Sequence, residues 1–119
     1  MATLHCVTSS NIAEVSDQEA VEALFEEHQV LPVDYRIKDR ELSIHGYESF
    51  IVQDKNNEYC TRQFLRQLQP YLEDELVIQT VGNEKCRYPL VACQYRVNED
   101  GVFYSDLETD EKELEVDNR

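Results

Sequence analysis

The chain has no tryptophan, one methionine, and only three glycines and three prolines in 119 residues. Gly46, Gly82 and Gly101 are isolated from one another. That spacing excludes a phosphate-cradling loop, which needs neighbouring glycines so that backbone amides can close on the ligand. No Gly-x-Ser-x-Gly segment is present either, so a nucleophile on a sharp strand-to-helix elbow is not expected. No stretch approaches the roughly 20 apolar residues of a membrane helix. The opening MATLHCVTSSNIAEV has no Lys or Arg and lacks the apolar run of a secretory leader. These absences predict a cytoplasmic chain with no membrane partner.

Positive charge is also scarce, and its distribution is uneven. The formal net charge is −14. Residues 1–35 carry seven carboxylates and no Lys or Arg, residues 36–96 balance nine acids with nine bases, and residues 97–119 hold nine acids against Lys112 and Arg119. A duplex is a dense line of negative charge that needs Lys and Arg to displace its counterions, so direct nucleic-acid binding is not expected. If charge selects a partner, that partner is a cation or a basic protein.

With 41% apolar residues, a chain of this length can bury one core. The pattern of elements predicts a single small α+β domain over residues 1–107, with the order β-α-β-β-β-α-β-β-β and two helices covering a mostly antiparallel sheet. Leu4 to Thr8 reads as a first strand. "SDQE" at 16–19 has the form of a capping box, with Ser16 and Glu19 each satisfying an amide at a helix start. Ala20, Val21, Leu24, Phe25 and His28 then share one helical face, Glu19, Glu22, Glu26 and Glu27 the other, and Leu31-Pro32 is expected to end the run. Lys38-Asp39-Arg40 reads as a reversal between two strands, and Gly46 as a bulge or second turn before a strand from Tyr47 to Gln53. A second helix is expected from Tyr59 to about Gln69, with Cys60, Phe64, Leu65 and Leu68 on its buried stripe and Pro70 ending it. Three strands follow. Residues 108–119, "ETDEKELEVDNR", are too polar to order themselves and are expected to form an acidic, disordered tail.

The four cysteines are separated by 54, 26 and 7 residues, without the Cys-x2–4-Cys pair of structural zinc or a Cys-x-x-Cys redox motif. Period-two alternation puts Cys93 with Val91, Tyr95 and Val97, and places Cys6 with Leu4. Cys6, Cys60 and Cys93 are therefore read as packing residues. Cys86, between Lys85 and Arg87 and before Pro89, is the candidate reactive thiol, since neighbouring cations favour the thiolate. A zinc site assembled from His5, Cys6, His45 and Cys86 is the competing reading.

"VNEDGVFYSDLE" places Asn98, Asp100 and Gly101 at three positions of an EF-hand loop, but Arg96 and Leu107 fall on its two anchoring carboxylate positions. A hairpin turn with Gly101 at positive φ fits better. His5, His28 and His45 have structural explanations as strand or helix-end residues.

No cofactor, metal site or catalytic residue is assigned. The reading is a small acidic protein-interaction or regulatory module without catalytic activity. Glu19, Glu22, Glu26 and Glu27 are its candidate surface, with a protein partner that is basic, or a second copy of the chain. Two alternatives accompany it. One is a nucleic-acid mimic whose carboxylates occupy a basic DNA- or RNA-binding protein. The other is a small enzyme or metal-binding protein with a site built from dispersed Cys and His.

Overall fold

A computed structural model describes residues 5–83 and 91–106. The elements are β1 (His5–Ser10), β2 (Ala13–Glu14), α1 (Gln18–Glu27), β3 (Gln29–Lys38), β4 (Glu41–Gln53), α2 (Thr61–Leu68), a 3-10 turn over Gln69–Tyr71, β5 (Leu76–Asn83), β6 (Val91–Asn98) and β7 (Gly101–Asp106). The fold is α+β, with two helices on a seven-stranded sheet whose pairings are all antiparallel. β1 and β2 pair successive stretches of one edge of β4, β3 pairs the other edge, and β5, β6 and β7 continue outward from β1. Cys86 and residues 108–119, which carry the reactive-thiol and tail expectations, lie outside the described residues.

The core follows from period-two alternation. Leu42, Ile44, Phe50 and Val52 of β4, Leu76 and Ile78 of β5, and Val97 of β6 are buried on one face. Phe64, Leu65 and Leu68 of α2 pack into that face, with Val21 and Phe25 of α1 beside them. The rings of Phe50 and Tyr95 lie 6.0 Å apart although β1 and β5 separate their strands. In a flat sheet that separation would be about 14 Å. The sheet is thus curled around the helices, and its convex face carries no helix among the described residues.

Three local expectations need correction. First, Asp17 rather than Ser16 caps α1, accepting a hydrogen bond from the Ala20 amide at 3.1 Å. The Ser16 amide instead donates to the Tyr71 carbonyl at 2.7 Å, and Asp17, with extended backbone (φ −140°, ψ 96°), takes the cap position. Asp17→Ala is expected to destabilise the protein by about 1 kcal/mol, measured by urea unfolding, whereas Ser16→Ala leaves stability within about 0.5 kcal/mol.

Second, α1 ends at Glu27, and Pro32 lies inside β3. Pairing from Gln29↔Gln53 onward outcompetes another helical turn, and the missing amide of Pro32 is tolerated because β3 is an edge strand. Third, β4 is one strand through Gly46, where of the two expectations the bulge holds and the turn does not. Val33 faces Gly46 while Leu31 faces Ile51, so residues 47–50 form a bulge opposite Pro32. The seven-strand count holds only because the short β2, absent from the expected order, replaces the strand lost by that merger.

The β3–β4 reversal falls where expected, on Asp39-Arg40, both at positive φ (54° and 65°). An arginine there costs conformational energy. Three contacts offset it: its amide donates to Gln18 Oε1 at 2.8 Å, its carbonyl accepts from the Val15 amide at 2.8 Å, and its guanidinium pairs with Glu14 at 2.7 Å.

Candidate functional site

Helix α1 presents the residues singled out from sequence. Glu19, Glu26 and Glu27 are exposed and Glu22 is half-buried, its Oε2 3.5 Å from Gln18 Nε2. The helix has no basic residue in its last turn. The ion pairs among the described residues, Arg40–Glu14 and Arg96–Glu75, involve none of these four glutamates. Their field reaches the sheet. Burial, then Glu26, then Glu22, raise the Tyr35 phenol above its ordinary value.

Beside this face lies a recess of about 590 Å³ that the sequence did not reveal. It is lined by Phe25 and His28 from the end of α1, by Val30 on one side of the β3 irregularity, and by Asp34, Tyr35 and Arg36 on the other, with His45 of β4. Phe25 and Tyr35 stack with ring centroids 4.1 Å apart. His28 Nδ1 lies 2.9 Å from the Leu24 carbonyl. A carbonyl can only accept, so Nδ1 carries a proton and donates it to Leu24. The ring also packs edge-on against Phe64 at 5.1 Å. His28 therefore closes the helix, as its position in the sequence implied. The signal for the recess was present as Pro32 inside an apolar run, but a proline alone does not distinguish a helix stop from a bulged edge strand.

The remaining candidates are dispersed. His45 stands on the convex face of β4, opposite Ser9 of β1 and Asp34 of β3. His5 and Cys6 belong to β1. Among the described residues no group of three or more His, Cys, Asp or Glu is placed to hold a metal ion. Cys60 is buried at the start of α2, and burial followed by the Asp54 charge raises its thiol above the ordinary value, which disfavours the nucleophilic thiolate. Cys93 is a half-buried thiol on the core side of β6, with a side-chain hydrogen bond to Tyr104.

The calcium-like segment forms the β6–β7 hairpin. Asn98 pairs with Gly101 (φ +142°), and Asn98 Oδ1 accepts from the Asp100 amide at 2.7 Å. The Asn98 side chain also donates to Glu75 at 2.8 Å, so its polar atoms hold the turn.

Of the seven tyrosines, Tyr35, Tyr71 and Tyr95 lean on the core, Tyr47 (84% exposed) and Tyr59 (77%) face outward, and Tyr104 (49%) is partly covered by Tyr95. Tyr88 lies outside the described residues.

The fold and its surface define a curled, two-layer α+β protein with an acidic helix face and outward aromatic side chains. Comparison of the chain with family models, with curated proteins and with solved structures finds no match. Among the described residues no helix is long and apolar enough to cross a membrane.

Proposed function

We propose that this chain is a non-catalytic interaction module of the cytoplasm that engages a basic protein through the outer face of α1. One observation carries the reading: Glu19, Glu22, Glu26 and Glu27 lie along a single helix face, and none takes part in an ion pair among the described residues. Uncompensated like charges on one face destabilise the free protein slightly. They become favourable when a partner supplies cations, and they raise the encounter rate with such a partner. The free thiol of Cys60 suits a reducing compartment.

The test uses a partner captured from native lysate by the full-length chain. Its affinity is expected to fall at least about tenfold between ~50 mM and ~500 mM salt, because attraction between exposed charges is screened within a Debye length. Replacing Glu19, Glu22, Glu26 and Glu27 by Gln should leave helix content unchanged while removing most of that salt dependence. A flat salt response of the unmodified protein, or an unchanged affinity in the Gln variant, overturns the proposal.

A further inference from the structure

The two outer edges of the sheet differ in a way that the acidic helix does not explain. An open strand edge offers unpaired amides and carbonyls, and proteins blunt such edges with proline, charge, bulges or short length. β3 has these devices: Pro32, the register irregularity beside it, and the exposed Asp34, Arg36 and Lys38. β7 has none between Val102 and Ser105. Among the described residues no strand pairs with its outer edge.

The side chains of β7 are already held in place. Phe103 (39% exposed) lies on the convex face under the Arg96 guanidinium, 4.6 Å from its ring centroid, and Arg96 is fixed by Glu75 at 3.1 Å. Tyr104, on the opposite face, packs against Tyr95 with centroids 5.1 Å apart. An edge ordered in advance loses little entropy when another strand pairs with it. Both of its ends are acidic, with Glu99 and Asp100 exposed before it and Asp106 exposed at its end.

We infer that the outer edge of β7 accepts an extended segment of a protein partner as an additional strand, a segment with a β-branched centre and lysine or arginine at both ends. This surface is separate from the acidic face of α1. Main-chain hydrogen bonds supply the pairing, alternate side chains of the incoming strand meet Phe103 on one face and Tyr104 on the other, and the flanking cations meet Glu99, Asp100 and Asp106. A second copy of the chain is a poorer occupant. Antiparallel pairing of two β7 strands brings the Glu99–Asp100 end of each toward Asp106 of the other.

The full-length chain, isotopically labelled, is titrated with a short synthetic peptide of alternating threonine and valine between lysine pairs. The expected result is amide perturbation centred on Val102 to Asp106. Affinity should fall about tenfold or more when glutamate replaces the flanking lysines. It should be abolished when alternate peptide amides on the pairing edge are methylated. Ser105→Lys places a blocking charge on an exposed position and should weaken binding about tenfold. Tyr104→Lys should do the same, and Ser105→Lys decides the matter if Tyr104→Lys does not fold. The variant with Gln at 19, 22, 26 and 27 should bind the peptide like the unmodified chain, which separates this surface from the helix face.

The proposal is overturned by any of four results: no perturbation by the lysine-flanked peptide, equal binding of the glutamate-flanked one, insensitivity to methylation, or perturbations centred on β3. Self-association through the same amides without peptide also overturns it, in favour of a second copy as occupant.

Discussion

Phe64→Ala is expected to destabilise the protein by about 3–5 kcal/mol. Phe64 is fully buried on α2 and meets Phe25 edge-on at 5.1 Å and His28 at 5.1 Å. Truncation therefore removes the ring contacts that tie α2 to the end of α1 and leaves a space in the core between the two helices. Native proteins are stable by only about 5–15 kcal/mol, so the variant is expected to lose much of its total. Urea unfolding should show a lowered midpoint with an unchanged slope. A loss below about 1 kcal/mol would mean that α2 is not packed into the curled sheet as described.

The second large effect concerns a buried polar pair. Thr8 of β1 and Thr80 of β5 face each other across the ladder, both nearly inaccessible, with their hydroxyls 2.9 Å apart. Removing either hydroxyl costs the other a hydrogen bond within the buried face of the sheet. Thr8→Val and Thr80→Val should each cost about 1–3 kcal/mol. Replacing both removes the penalty together with the bond, so the double variant should be less destabilised than the sum of the singles. A double-mutant cycle measures this coupling, and strict additivity would show that the two hydroxyls do not depend on one another.

Neither residue of that pair could have been chosen from the sequence. Threonine at a strand position is as compatible with the wet face as with the dry one, and only the register, 72 residues apart, puts the two together. The elements were legible where a period was strong. The stripe of Phe64, Leu65 and Leu68 predicts α2, and Pro70 marks its end within the following 3-10 turn. Asp39-Arg40 and the Asn98–Gly101 turn also fell in place.

The misreadings cluster where tertiary contacts overrule local preference. The Tyr71 carbonyl claims the Ser16 amide and moves the cap of α1. Pairing with β4 claims Gln29 and Val30 from the expected helix and makes Pro32 an edge residue. The acidic face of α1 was legible because charge needs no long-range information. The recess lined by Phe25, His28, Tyr35 and His45 was not, because three segments of chain build it.

The place of β1 in the sheet also governs how the chain reaches its native state. Its residues pair with β4 at Ser9↔His45 and with β5 at His5↔Asn83, so a strand near the start of the sequence occupies the middle of the sheet. Such distant closures must be completed before the structure rewards them, which slows folding toward the millisecond-to-second range typical of non-local β pairings, on the order of a thousand times slower than helical bundles. On the ribosome, β1 waits without its second neighbour until β5 has emerged, and this interval is when assistance from a chaperone would matter most.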